Sequence, residues 1–60
     1  MTEKFLTLHS VEDMVGFKKS RIYELMKTGE FPKNKTIKGK SVWLLSEIQN
    51  WIQIEWKSAS

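Results

Sequence analysis

Three glycines divide this chain of 60 residues into short segments: Gly16 and Gly29 each closely follow a stretch with a helical apolar pattern, and Gly39 lies between two β-prone triplets. Glycine adopts the left-handed backbone conformation in which helices and tight turns often end. The chain has no cysteine, so neither a disulfide nor a thiolate zinc site can hold the segments together. We therefore expect one small domain over residues 1–60, with an ordered core over roughly residues 5–56, built from short elements.

The first two segments each carry a helical apolar stripe. The first predicts a helix over residues 8–15 that is capped by Thr7 and ends at Gly16. The second predicts a helix from Lys18 or Lys19 to Lys27, which ends just before Gly29. The stripes consist of Leu8, Val11, Met14 and Val15 in the first helix and of Ile22, Leu25 and Met26 in the second. Because only a short glycine-containing turn separates them, the two helices should form a helix-turn-helix.

The third segment predicts a β-hairpin. Phe31-Pro32 blocks continuation of the second helix. Two β-prone triplets, residues 35–37 and 41–43, then flank Lys38-Gly39-Lys40, and Gly39 should take a positive φ in the turn.

A last helix should begin near the cap Ser46, with Glu47 in its first turn. Its stripe is Ile48, Trp51, Ile52 and Trp56, and residues 58–60 should fray. Trp43 and Trp51 are expected in the core, whereas Trp56 is a candidate for an exposed protein contact. The fold class is therefore mainly α with a small β-hairpin: a winged helix-turn-helix.

Positive charge is concentrated in the middle of the chain. Residues 18–40 contain eight lysines and arginines against two glutamates, although the net charge of the whole chain is only +3. A one-sided basic surface is typical of proteins that bind polyanions. A solvated lysine-rich surface explains the same numbers, and charge alone leaves both interpretations open.

Other function classes find little support in the sequence. His9 is the only histidine and has no cysteine or carboxylate cluster around it, so we expect no metal and no cofactor. So short a chain cannot preorganise a catalytic site, which argues against an enzyme. The longest apolar run, residues 42–45, is far too short to cross a membrane, and the first residues do not form a signal peptide. We expect a cytoplasmic protein.

Several motifs occur in a characteristic order. They are Val11, Gly16-Phe17, Ser20-Arg21-Ile22-Tyr23, Met26-Lys27-Thr28-Gly29-Glu30-Phe31-Pro32-Lys33, Gly39-Lys40, Trp43, Ser46-Glu47-Ile48 and Trp51. With these motifs the stretch from Val11 to Ile52 resembles the AlpA-type phage regulators and related excisionases, which have a MerR-like winged-helix fold.

One departure is Lys18, where many members have a serine or threonine as the cap of the second helix. Ser20 is a partial substitute, or Lys18 exchanges helix stability for a phosphate contact.

The winged-helix resemblance implies that the second helix and the wing contact DNA. Arg21 is the first candidate for reading a base, and Lys19 and Ser20 should meet phosphates. Tyr23 either bonds a phosphate or packs against the wing. Glu24 either accepts from a cytosine or, as we favour, pairs with a nearby lysine. The wing lysines either contact DNA or prevent edge-to-edge aggregation. The candidate DNA-binding residues are Lys18, Lys19, Ser20, Arg21, Tyr23, Lys27, Lys33, Lys35, Lys38 and Lys40.

Three functions are compatible with this reading. The first is an excisionase that binds double-stranded DNA near an attachment site, beside integrase or neighbouring copies of itself. The second is a transcriptional regulator of an integrase or phage promoter. The third, which a likeness to a prophage excisionase implies, is an inhibitor that docks on a response regulator.

Overall fold

The computed structural model describes residues 3–59, which form three helices and three strands. In chain order these are β1 (Phe5–Thr7), α1 (Leu8–Val15), α2 (Lys19–Lys27), β2 (Lys35–Ile37), β3 (Lys40–Leu44) and α3 (Leu45–Ser58). The strands form one antiparallel sheet in the order β1-β3-β2. The architecture is mainly α with a small β wing, which confirms the predicted fold class.

Both helices of the helix-turn-helix have the predicted bounds. Gly16 follows α1 with a φ of 80°, and its N–H donates to the carbonyl oxygen of Glu12, so the left-handed end is confirmed. Thr7 occupies the N-cap position of α1, but its side chain makes no capping hydrogen bond. Its hydroxyl lies 3.4 Å from the Ser10 hydroxyl instead. The end of α1 is therefore fixed by a glycine, whereas the Thr7 side chain does not cap its start.

The hairpin turn consists of Lys38 and Gly39, which join β2 to β3 with Ile37 opposite Lys40. Both turn residues have a positive φ, 50° for Lys38 and 81° for Gly39. Two successive positive φ angles are the mark of a type I′ turn, which matches the twist of the two strands. The prediction for Gly39 is confirmed. The left-handed conformation of Lys38 was not predicted, and it is unfavourable for a residue with a Cβ.

Strand β1 was not predicted from the sequence. It pairs with β3, with Leu6 opposite Trp43, and Leu6 is almost completely buried. The wing hairpin is thus extended by a third strand from the start of the described chain. This pairing fixes residues 5–7 against the core.

The start of α3 differs from the prediction. Ser46 is not the cap, because the helix begins at Leu45 after Leu44. The Glu3 carboxylate takes that role: it accepts from the Ser46 N–H at 3.1 Å and from the Ser46 hydroxyl at 2.7 Å. The hydrogen bond from the Ser46 hydroxyl, and to a smaller extent the one from the Ser46 backbone N–H, hold the pKa of Glu3 below its ordinary value. At the other end, Ser58 still belongs to the helix, so the fraying predicted for residues 58–60 does not begin there, and residue 60 lies outside the described residues.

The core lies between the three helices and the sheet. Its buried residues are Leu6, Val11, Ile22, Phe31, Trp43 and Ile48. Two indole N–H groups hold the loop after α2: Trp43 donates to the Pro32 carbonyl and Trp51 to the Glu30 carbonyl, each at 2.8 Å. Trp43 is 1% exposed, and Trp51 is partly buried against the core. Both tryptophans therefore lie where the sequence placed them.

Candidate nucleic-acid interface

One face of α2 points away from the protein. Ile22 is completely buried, so residues two before it and two and five after it must face outward on a helix of 3.6 residues per turn. These residues are Ser20, Glu24 and Lys27, and all three are exposed. We call this set the outer face of α2.

The start of α2 concentrates positive charge. Lys18 is the N-cap, with an extended backbone, and no side chain among residues 3–59 makes a capping bond there. No acidic residue lies in the first turn. Lys18, Lys19 and Arg21 are all exposed beside the helix N-terminus, whose N–H groups already carry partial positive charge. The arrangement suits an anion such as a phosphate.

Arg21 is paired within its own helix. Its Nη1 lies 2.6 Å from Oε1 of Glu24, with the two side chains 58% and 64% exposed. The expectation that Glu24 would pair with a lysine was wrong, because the partner is the arginine three residues earlier. The guanidinium has five N–H donors, so one contact leaves others for a base or a phosphate.

Tyr23 and Lys27 complete the candidate residues of α2. Tyr23 is 39% exposed, so its ring is partly packed and partly accessible. Lys27 lies in the last turn, where its charge also suits the negative end of the helix. Lys27 belongs to the outer face itself, and Tyr23 can contribute to the same surface.

The wing presents its lysines at the tip and on one side of the sheet. The strand register pairs Lys35 with Val42 and Ile37 with Lys40, which puts all four on the side opposite Trp43. Lys38 lies in the turn itself. Lys33 precedes β2 and, together with Lys35, lines a cavity of about 60 Å³. All four wing lysines are exposed.

An apolar groove lies beside α2. It has a volume of about 390 Å³, and its lining includes Met14, Phe17, Arg21, Trp51 and Trp56. Trp56 is 81% exposed, as its position on the last helix suggested. The groove was not predicted from the sequence, because its walls come from all three helices.

No helix within residues 3–59 combines the length and the apolar character needed to span a membrane.

Taken together, a helix-turn-helix and a small basic sheet define a protein of the winged-helix type. The chain belongs to the AlpA family: the family model described as "Prophage CP4-57 regulatory protein (AlpA)" matches residues 4–56. The sequence resemblance to AlpA-type regulators is therefore confirmed.

A curated relative comes from a phage. It is "Uncharacterized protein ORF88" of Enterobacteria phage P4, 43% identical over 51 residues. The match covers 83% of this chain and 58% of the phage protein, so the chain spans little more than half of that relative. No solved structure matches the chain.

Proposed function

We propose that this protein binds double-stranded DNA of a prophage or integrated element and promotes its excision by an integrase. The observation that carries DNA binding is the start of α2, where three exposed cations surround an uncapped helix end. In a helix-turn-helix this end of the second helix enters the major groove. Such a protein works without catalysis or cofactor, and it acts in the cytoplasm, where the DNA is.

The interface combines two kinds of contact. In this proposal Lys18, Lys19 and Ser20 contact phosphates, and Arg21 reads a guanine. The wing lysines add phosphate contacts along or across a groove. Modules of this size bury only about 600–1,000 Å² on DNA, so single-site binding is weak and neighbouring copies strengthen it.

Membership of a family of prophage regulatory proteins supports either of two uses of the same interface. An excisionase occupies sites beside an attachment site, and a transcriptional regulator occupies a promoter. We favour the excisionase because the motif pattern resembles that of small prophage excisionases.

The test is to incubate the folded protein with sheared genomic DNA of a host and to sequence the retained fragments. Arg21→Ala is run in parallel, and Lys57→Ala is the matched control because it removes a charge from the far end of α3. Clustered sites beside an integrase attachment site, lost only in Arg21→Ala, are expected. Enrichment confined to a promoter would establish the regulator instead.

Salt dependence tests DNA binding directly. A monomer that contacts six phosphates should lose roughly a thousandfold in affinity between about 50 and 200 mM salt. An affinity that does not change with salt would contradict the proposal.

The groove beside α2 favours a second candidate, in which the protein docks on a protein partner such as a response regulator. Its support is the exposed Trp56 at the groove, because large exposed apolar side chains often mark interfaces. Trp56→Ser should then abolish inhibition of the partner and leave DNA affinity unchanged. The opposite pattern, in which Lys19→Ala abolishes the inhibition and Trp56→Ser does not, would reject this candidate, because Lys19 does not line the groove.

A further inference from the structure

The ion pair between Arg21 and Glu24 connects two different sides of α2. Glu24 lies on the outer face, opposite the buried Ile22. Arg21 lies on the flank of the helix, where it lines the apolar groove together with Phe17 and Leu25. The contact of 2.6 Å therefore directs the guanidinium from the groove side toward the outer face.

Helix stability does not explain this pair. Both side chains are more than half exposed, and exposed ion pairs contribute little to the free energy of unfolding. The order is also the less favourable one, because the arginine is nearer the positive end of the helix and the glutamate nearer the negative end. Because the pair contributes little to helix stability, its main effect is to determine the position of the Arg21 guanidinium.

We propose that Glu24 is a positioning residue that holds Arg21 for base reading. The inference rests on the proposed DNA binding and adds a source of specificity to it. The Glu24 carboxylate binds one N–H of the guanidinium and leaves other donors for O6 and N7 of a guanine.

Two physical effects follow from this arrangement. A free arginine side chain has many rotamers, and the pair restricts them before DNA is bound. The Arg21 side chain already lines the groove, and without Glu24 its guanidinium is no longer held toward the outer face. The carboxylate also repels the phosphates of any DNA, and only DNA that offers Arg21 a guanine offsets this repulsion with a base contact.

The experiment measures base preference with a library of randomised DNA duplexes, from which the bound fraction is sequenced. The variants are Glu24→Ala, Glu24→Gln, Arg21→Ala and the double variant Arg21→Ala/Glu24→Ala. Alanine removes both the charge and the acceptor, whereas glutamine removes the charge and keeps an acceptor oxygen. Glu47→Gln is the matched control, because it makes the same charge change on α3. Alanine and glutamine both favour helix, so α2 should remain folded, which circular dichroism checks.

The wild type should prefer guanine at one position by roughly 5- to 100-fold, as a good bidentate contact does. Glu24→Gln should keep most of this preference, and Glu24→Ala should lose most of it while its total DNA affinity holds or rises. Arg21→Ala should lose the preference completely, and adding Glu24→Ala to it should change nothing further. This last result distinguishes action through Arg21 from a direct contact of Glu24 with a base.

Two results would overturn the proposal and leave DNA binding intact. One is a full guanine preference in Glu24→Ala. The other is a preference in the Arg21→Ala variant that the second substitution then removes. Absence of DNA binding by the folded wild type would instead reject the proposed function itself.

Discussion

The starts of α2 and α3 show opposite solutions to the same problem. Each helix begins with N–H groups that lack partners within the helix. At α3 the Glu3 carboxylate accepts from the Ser46 N–H, and Glu47 lies in the first turn. At α2 no side chain of the described residues caps the end, and the surrounding charges are Lys18, Lys19 and Arg21.

The two helix ends differ in where a negative partner for their N–H groups can come from. The start of α3 has its negative partner within the chain, and the partner comes from residues close to β1. The start of α2 has extra positive charge where a negative one would stabilise the helix. An anion from outside, which we propose is the DNA backbone, would complete α2 as Glu3 completes α3.

The largest expected effect comes from neutralising the start of α2. The double variant Lys18→Gln/Lys19→Gln should reduce the slope of log affinity against log salt by about two, since each substitution removes about one phosphate contact. Filter binding to one duplex over a range of salt concentrations measures the slope. Lys57→Gln is the control, and an equal change there would mean that only net charge matters.

The next largest effect is expected at the N-cap of α2, where one substitution should raise the free energy of unfolding and weaken DNA binding. Lys18 has the extended backbone of an N-cap, with φ −86° and ψ 168°, so Lys18→Asp can cap α2 without rearrangement. We expect the free energy of unfolding to rise by about 1 kcal/mol, measured by urea denaturation. DNA binding by the same variant should weaken. A variant that gained stability and kept its affinity would show that this helix end does not contact DNA.

A smaller gain in the free energy of unfolding is expected from a substitution in the turn of the wing. Lys38 has a φ of 50°, which asparagine tolerates better than lysine. Lys38→Asn should therefore raise the free energy of unfolding by about 0.5–1 kcal/mol. Lys33→Asn loses the same charge at an ordinary φ, so it should give no such gain. Equal thermal midpoints for the two variants would contradict this explanation.

The smallest effect is a pH dependence at the start of α3. Because the bonds from Ser46 lower the folded-state pKa of Glu3, its stabilisation is present above the ordinary value of 4.5 and is lost as the pH falls through the lowered pKa. Glu3→Gln should therefore be less stable than the wild type at neutral pH and equal to it in strong acid. Thermal unfolding across the acid range measures this. Ser46→Ala removes one of the two bonds and should give part of the same difference.

Local patterns made much of the fold predictable. The bounds of α1 and α2 and the turn at Gly39 depend on neighbouring residues, which the sequence displays directly. Strand β1 has only three residues, too few to show an alternating pattern, and unlike the equally short β2 it has no glycine turn beside it. The cap of α3 could not be predicted either, because the Glu3 carboxylate reaches Ser46 only after β1 has paired with β3.

The candidate site was predictable in composition but not in geometry. Every basic residue singled out is exposed, as a DNA-binding surface requires. The choice of Arg21 as partner of Glu24 depends on side-chain orientation around α2, and a charge pattern does not specify that. The groove could not be predicted either, because its lining residues are scattered along the chain from Met14 to Ala59.

The central position of β3 in the sheet has a consequence for the order in which the chain folds. Helices α1 and α2 and the β2-β3 hairpin close through short loops, whereas β1 must wait for a strand made much later. The Lys4 carbonyl and the Leu45 N–H, 2.9 Å apart, join at the same stage. On a translating ribosome β1 therefore remains without its complete partner strand until Leu44 has emerged. The core can therefore close completely only after β3 has been made.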